Sequence, residues 1–163
     1  MKRIVKISNL LSNTINKLIE VLVVLLALIL SFFMVLSVFY RYILNNSIYY
    51  SSELCRFLLV YITFLGSTVA YKHKAHIGVD VFVEYLPLKG KRFIELLIEL
   101  SFLSFMVLLF VVSLKFLPMM WLQRTATLQL PYAYIFLIVP VSSAIFSIHI
   151  INRLVEIISQ WSG

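Results

Sequence analysis

Long apolar stretches with no charged side chain at their centres dominate this 163-residue chain, and they leave few folds open to it. A helix needs about 20 apolar residues to cross the roughly 30 Å hydrocarbon layer of a membrane, where backbone donors and acceptors must be satisfied within the segment. Val21 to Tyr40 is such a run, without one charge. The pattern predicts transmembrane helices over 18–43, 53–71, 93–116 and 126–152. The second is charge-free after Arg56, and the third holds Glu95, Glu99 and Lys115 only toward its ends. The fourth carries Pro131 near its start and Pro140 inside, which a membrane helix tolerates when neighbours re-satisfy the freed carbonyls. The expected fold is therefore an all-α integral membrane protein, one domain of four transmembrane helices with both termini on the same side.

The sidedness follows from Lys and Arg, which resist translocation. Lys2, Arg3, Lys6, Lys17, Lys72, Lys74, Lys89, Lys91, Arg92 and Arg153 fall on the side of the termini, against Arg41, Lys115 and Arg124 on the other. Both ends are expected in the cytoplasm. A hydrophobic share of 62% with 13% charged residues excludes an ordinary soluble domain. The net charge of +7 then reads as a topology signal and a set of contacts for anionic lipid, at Lys72, Lys74, Lys89, Lys91 and Arg92, rather than as a nucleic-acid surface. No small-residue cleavage site follows the first apolar run, so that helix is expected to be retained. Cys55 is the sole cysteine, which excludes an internal disulfide.

Between the spans, Ile4, Ile7, Leu11, Ile15 and Leu18 recur at spacings of three and four, the pattern of an interfacial helix over 3–17. A plain extension of the first span fits equally. Over 72–91, His76, Asp80 and Glu84 recur every four residues opposite Ile77, Val81 and Leu88, which predicts a second amphipathic helix on the cytoplasmic surface. A strand through Ile77, Val79, Val81 and Val83 is the alternative, disfavoured by its unsatisfied edge. Asn45, Asn46 and Ser47 supply turn chemistry, and Ser51 or Ser52 is a candidate cap for the second helix.

A carrier of charged solutes shows ionisable groups or broken helices near mid-depth, and this chain places Glu20, Glu53, Arg56, Glu99 and Lys115 within a few turns of helix ends. Glu53 and Arg56, three residues apart, suit an internal ion pair or a contact of one with a partner subunit. Thr63, Gly66, Ser67 and Ala70 line one face of the second helix with small side chains, the composition that permits close helix approach; internal association is expected. Ser143, Ala144 and Ser147 form a shorter patch on the fourth. His73, His76 and His149 raise a haem-bearing oxidoreductase anchor as one alternative, and Glu20 a self-contained homo-oligomeric exporter as another. No cofactor, no metal and no catalytic residue are expected.

Phe39-Tyr40-Arg41-Tyr42-Ile43-Leu44-Asn45-Asn46-Ser47, then Ser52-Glu53-Leu54-Cys55-Arg56-Phe57-Leu58-Leu59-Val60 through Gly66 to Ala70-Tyr71-Lys72, resembles the small membrane subunit of tripartite ATP-independent periplasmic (TRAP) transporters. Ala75-His76-Ile77-Gly78-Val79-Asp80, Leu86-Pro87, Thr127, Leu130-Pro131 and Pro140 continue the likeness. The resemblance implies a bacterial inner-membrane protein that forms a stable heterodimer with a large elevator-type permease subunit. That subunit would carry the sodium and substrate sites, a periplasmic binding protein would deliver an organic acid such as sialic acid or a C4-dicarboxylate, and the small subunit would brace the scaffold. Because the chain ends at Gly163, the large subunit is expected as a separate polypeptide.

Overall fold

The computed structural model describes residues 2–46, 48–73 and 88–161, with the side chains of 2–8, 11, 88–89, 91–92 and 158–161 left aside. Five helices occur in these stretches: α1 Lys2–Tyr42, α2 Ser51–Lys72, α3 Leu88–Leu122, α4 Ala133–Phe136 and α5 Ile138–Trp161. Four segments in them are long and apolar enough to cross a membrane, Ser12–Tyr42, Ser51–Lys72, Phe93–Leu122 and Ala133–Ile157. The protein is a multi-pass, all-α membrane protein. Most of the second amphipathic helix expected over 72–91 falls outside the described residues, including Lys74 and His76.

α1 is one uninterrupted helix of 41 residues, about 60 Å at 1.5 Å per residue, and so twice the hydrocarbon thickness. The stretch 3–17 forms its first turns, the plain extension of the first span that the sequence also allowed. Ile15 does pack inside, but Leu18 is 68% exposed, while Ser12, Asn16 and Ile19 are buried. The polar side of this amphipathic stretch faces the bundle because neighbouring helices offer it polar partners there. α1 ends where Asn45 takes a left-handed φ of 49° and the Asn46 amide closes on the Tyr40 carbonyl at 3.2 Å, the turn role its side chain favours. The cap expected at Ser51 or Ser52 is not formed: Tyr50 holds the N-cap position without a side-chain bond. Ser51 instead lies buried, donating to the Ile48 carbonyl at 2.7 Å and meeting Ser37 Oγ of α1 at 2.8 Å.

α3 exceeds the expected 93–116 at both ends and runs through Pro118 to Leu122. The fourth span starts later than expected. Residues 123–132 form a tight hairpin, closed by Thr125 N–H to Leu130 C=O at 2.9 Å and Tyr132 N–H to Gln123 C=O at 3.0 Å. Leu130 precedes Pro131 and is pushed away from helical backbone, which delays the helix to Ala133. Pro140 accounts for the interruption at Leu137: it lacks the N–H that would bond the Phe136 carbonyl, and its ring crowds that group. α5 then continues past the expected end at 152 to Trp161.

α5 is the central helix. Tyr71, Met106, Phe146 and Ile150 join it to α2 and α3, and Ile19, Leu65 and Ile138 join it to α1 and α2. α1 packs chiefly on α2, and α3 on α5, so α1 and α3 turn long leucine, valine and phenylalanine surfaces outward. Asn152 Nδ2 donates to Asn9 Oδ1 at 2.8 Å, which brings the N-terminal part of α1 beside the C-terminal part of α5. Both termini therefore share one end of the bundle, called here the terminal end.

Candidate functional site

The polar groups of the bundle concentrate at the terminal end, where four helices contribute side chains at or near the ends of their apolar spans. Ser12 of α1 is central. It accepts a hydrogen bond from Lys72 Nζ at 2.8 Å, which leaves its own proton for His149 Nδ1 at 2.8 Å. That sets the neutral imidazole with hydrogen on Nε2, a buried nitrogen with no partner among the described residues. One turn along α1, Asn16 Nδ2 donates to Glu20 Oε1 at 2.6 Å, and His73 Nε2 reaches the same oxygen at 2.6 Å. The Asn16 side-chain oxygen is buried and unpartnered.

Deeper in the bundle, Glu99 of α3 is buried and receives Arg153 Nε of α5 at 2.8 Å and the Tyr71 hydroxyl of α2. The Tyr71 ring is held by Phe146 and Phe102, with centroids 5.5 and 6.3 Å away. A desolvated carboxylate survives here because a cation and a hydroxyl both address it. Chemically the cluster is a set of donors and acceptors that mostly consume one another, and it clasps four helices together. Among the described residues no group of three His, Cys, Asp or Glu side chains forms a metal set, and His73 and His149 address different partners.

At the opposite end, Glu53 departs from its expected pairing. Its Oε2 accepts the backbone N–H of Thr127 at 3.0 Å and of Leu128 at 2.9 Å, tying the start of α2 to the 123–132 hairpin. Two amides presented together outcompete a side chain that must be ordered to reach the same oxygen. The internal Glu53–Arg56 pair is accordingly absent, and Arg56 is exposed with no ion pair among the described residues. The small-residue face of α2 also departs from the expected internal association. Thr63 is exposed, and a Cβ built on Gly66 would meet no atom within 4 Å; the residues that α2 buries are Ser51, Leu65, Thr68 and Tyr71. Ser67 and Ala70 are half-buried, and the Ser67 hydroxyl bonds its own helix at the Phe64 carbonyl. Of the expected lipid contacts, Lys72 is half-buried on Ser12, and the side chains of Lys89, Lys91 and Arg92 lie outside the described residues.

Residues 30–160 match the family described as tripartite ATP-independent periplasmic transporters, DctQ component. The chain belongs to this family. A TRAP transporter small permease protein of Haemophilus influenzae, its function qualified as unproven in its name, is 30% identical over 93 residues, 57% of this chain and 58% of that protein. The isethionate TRAP transporter permease protein DctMQ of Oleidesulfovibrio alaskensis is 27% identical over 107 residues, covering 64% of this chain and 17% of the relative. The sialic acid TRAP transporter small permease protein SiaQ of Vibrio cholerae is 32% identical over 63 residues, 39% of this chain and 36% of that protein. The chain thus spans less than two thirds of the length of these relatives. As a DctQ-family chain it is a component of a transporter.

Reading the sequence alone missed Ser12, Asn16, Glu99, Asn152 and Arg153 as interacting residues. The available signal was the line of Asn9, Asn13, Asn16 and Glu20 at three- and four-residue spacing beside an apolar span, matched by His149, Asn152 and Arg153 at the far end of the chain.

Proposed function

We propose that this chain is the non-catalytic small membrane subunit of a TRAP transporter. It braces the scaffold of a large elevator-type permease subunit in the bacterial inner membrane, with both termini in the cytoplasm. The complex takes up an organic acid by sodium-driven symport, sialic acid or a C4-dicarboxylate, delivered by a periplasmic binding protein. One observation supports a bracing rather than a carrying role. The buried hydroxyls along the spans turn back on their own helices, Thr68 to the Leu65 carbonyl, Ser113 to Phe110, Ser142 to Val139 and Ser143 to Pro140. A migrating carboxylate needs donors that replace its hydration shell, and the protons of these hydroxyls are already spent on their own helices.

A large membrane partner is supported by the wide apolar surfaces on α1 and α3 and by the open space over Gly66, which admits a closely packed foreign helix. The relative DctMQ carries a segment like this chain within a much longer permease, which fits the same partnership. The cytoplasmic assignment draws on the ten-to-three bias of Lys and Arg. The test is reconstitution. Co-expressed large subunit should co-elute with the tagged chain, and proteoliposomes should take up substrate with sodium only when both are present. Sodium-dependent flux through this chain alone would overturn the proposal.

A further inference from the structure

Between α1 and α2 at the terminal end lies an open cavity of about 550 Å³, within the roughly 300–1,000 Å³ of small-molecule sites. Its walls include Lys17, Glu20, Asn16, Thr14, Lys72 and His73. Its depth is set by the sequence. Glu20 immediately precedes the charge-free run that begins at Val21, and Lys72 is the last residue of α2, so the cavity lies where apolar spans give way to polar ends. That is the level of lipid headgroups. Below it on the same face of α1, Val21, Val24 and Leu28 follow Lys17 at helical spacing and are all exposed, offering a track for an acyl chain.

The cavity carries both signs of charge, and its unused groups are specific. Lys17 is exposed and acts on the Glu20 carboxylate through its charge without a hydrogen bond among the described residues, and the Lys72 ammonium spends one of its three donors on Ser12. On the acceptor side, both hydrogen bonds to Glu20 fall on Oε1, which leaves Oε2 for a further donor. A purely anionic ligand would use the lysines but would meet the Glu20 carboxylate. A headgroup with a phosphate and a primary ammonium answers both.

We propose that this cavity binds the headgroup of one phosphatidylethanolamine molecule, its phosphate on Lys17 and Lys72 and its ammonium on Glu20. The proposal needs only a membrane-spanning chain and stands independently of the bracing role. Phosphatidylcholine has the same charges but no N–H donors, and phosphatidylglycerol has no cation, so the three lipids separate the contributions.

The purified, delipidated full chain is titrated with each lipid, acyl chains matched, and bound lipid is counted by native mass spectrometry. One phosphatidylethanolamine should be retained with roughly tenfold preference over phosphatidylcholine, the worth of a charge-assisted hydrogen bond. Glu20→Gln should erase that preference, and Lys17→Ala should weaken all three lipids together. Soluble phosphoethanolamine should compete better than inorganic phosphate, which separates headgroup recognition from simple phosphate binding. Phosphatidylglycerol binding as tightly as phosphatidylethanolamine, a preference that survives Glu20→Gln, or equal competition by inorganic phosphate would each overturn the proposal. Should Glu20→Gln fail to fold by circular dichroism, the comparison of the three lipids on the unaltered chain decides the matter.

Discussion

Replacing Arg153 with Leu tests whether the buried Glu99 cluster holds the bundle together. The Glu99 side chain is 7% exposed and that of Arg153 25%, with the two 2.8 Å apart. Removing one partner of a buried ion pair costs about 3–5 kcal/mol, because the remaining charge keeps its desolvation penalty. Tyr71 still donates to Glu99, and the arginine end was partly hydrated, so Arg153→Leu should cost about 3 kcal/mol, the low end of that range. Glu99→Leu leaves a guanidinium that can extend its stem toward water, and strands only the Tyr71 hydroxyl, for about 1.5 kcal/mol. The double variant removes both charges and should cost about 1.5 kcal/mol, far less than the sum of the singles, a coupling of about 3 kcal/mol. Reversible unfolding in mixed micelles, followed by far-ultraviolet circular dichroism, measures all four species. Additive costs, or a Glu99→Leu variant less stable than Arg153→Leu, would refute the reasoning.

Three further outcomes are expected. Ile150→Ala empties a fully buried position in the cluster with Tyr71, Met106 and Phe146 and should lower stability by about 3 kcal/mol in the same assay. Gly66→Leu places a side chain where no atom lies within 4 Å, so the isolated chain should keep its stability or gain up to about 0.8 kcal/mol of helix propensity; recovery of a complex with the large subunit should fall, and a destabilised isolated chain would show instead that this face is filled from within. Glu53→Gln weakens the acceptor for the Thr127 and Leu128 amides, and hydrogen exchange at those two amides should accelerate roughly tenfold while the middle of α2 is unaffected.

The spans were legible because a membrane imposes one demand, continuous apolar length, that a sequence displays directly. α2 was bounded within two residues, since Asn45, Asn46 and the polar stretch at Lys72 mark its limits. The fourth span was misplaced by seven residues at its start because Thr125 to Leu130 is apolar enough to pass for membrane helix, while its hairpin depends on hydrogen bonds that composition does not carry. The side-chain clasp was least legible. Ser12 and His149 are 137 residues apart, and Asn9 and Asn152 are 143 apart, so nothing local announces that they meet. For Glu53 the sequence offered Arg56 or a partner subunit, and the structure gives its carboxylate the Thr127 and Leu128 amides, because i,i+3 spacing makes a neighbour available without making it preferred.

The two ends of the bundle are fastened by different means, and the difference follows from what each end must restrain. Opposite the termini, a carboxylate grips two backbone amides, Ser37 and Ser51 join α1 to α2, and the Tyr61 hydroxyl donates to the Tyr134 carbonyl. The serine pair spans the short connection between α1 and α2, while the other bonds pin the 123–132 hairpin and the start of α4 onto α2, segments more than 70 residues away in sequence. At the terminal end no described turn joins α1 to α5, and loop closure there would span nearly the whole chain. Side chains must supply the restraint, and the apolar middle cannot, because lipid competes for contact with Leu and Val on equal terms. Polar pairs do not face that competition from hydrocarbon. The first-to-last helix contact is accordingly made by Asn9, Ser12, His149 and Asn152, in a chain whose residues are mostly apolar.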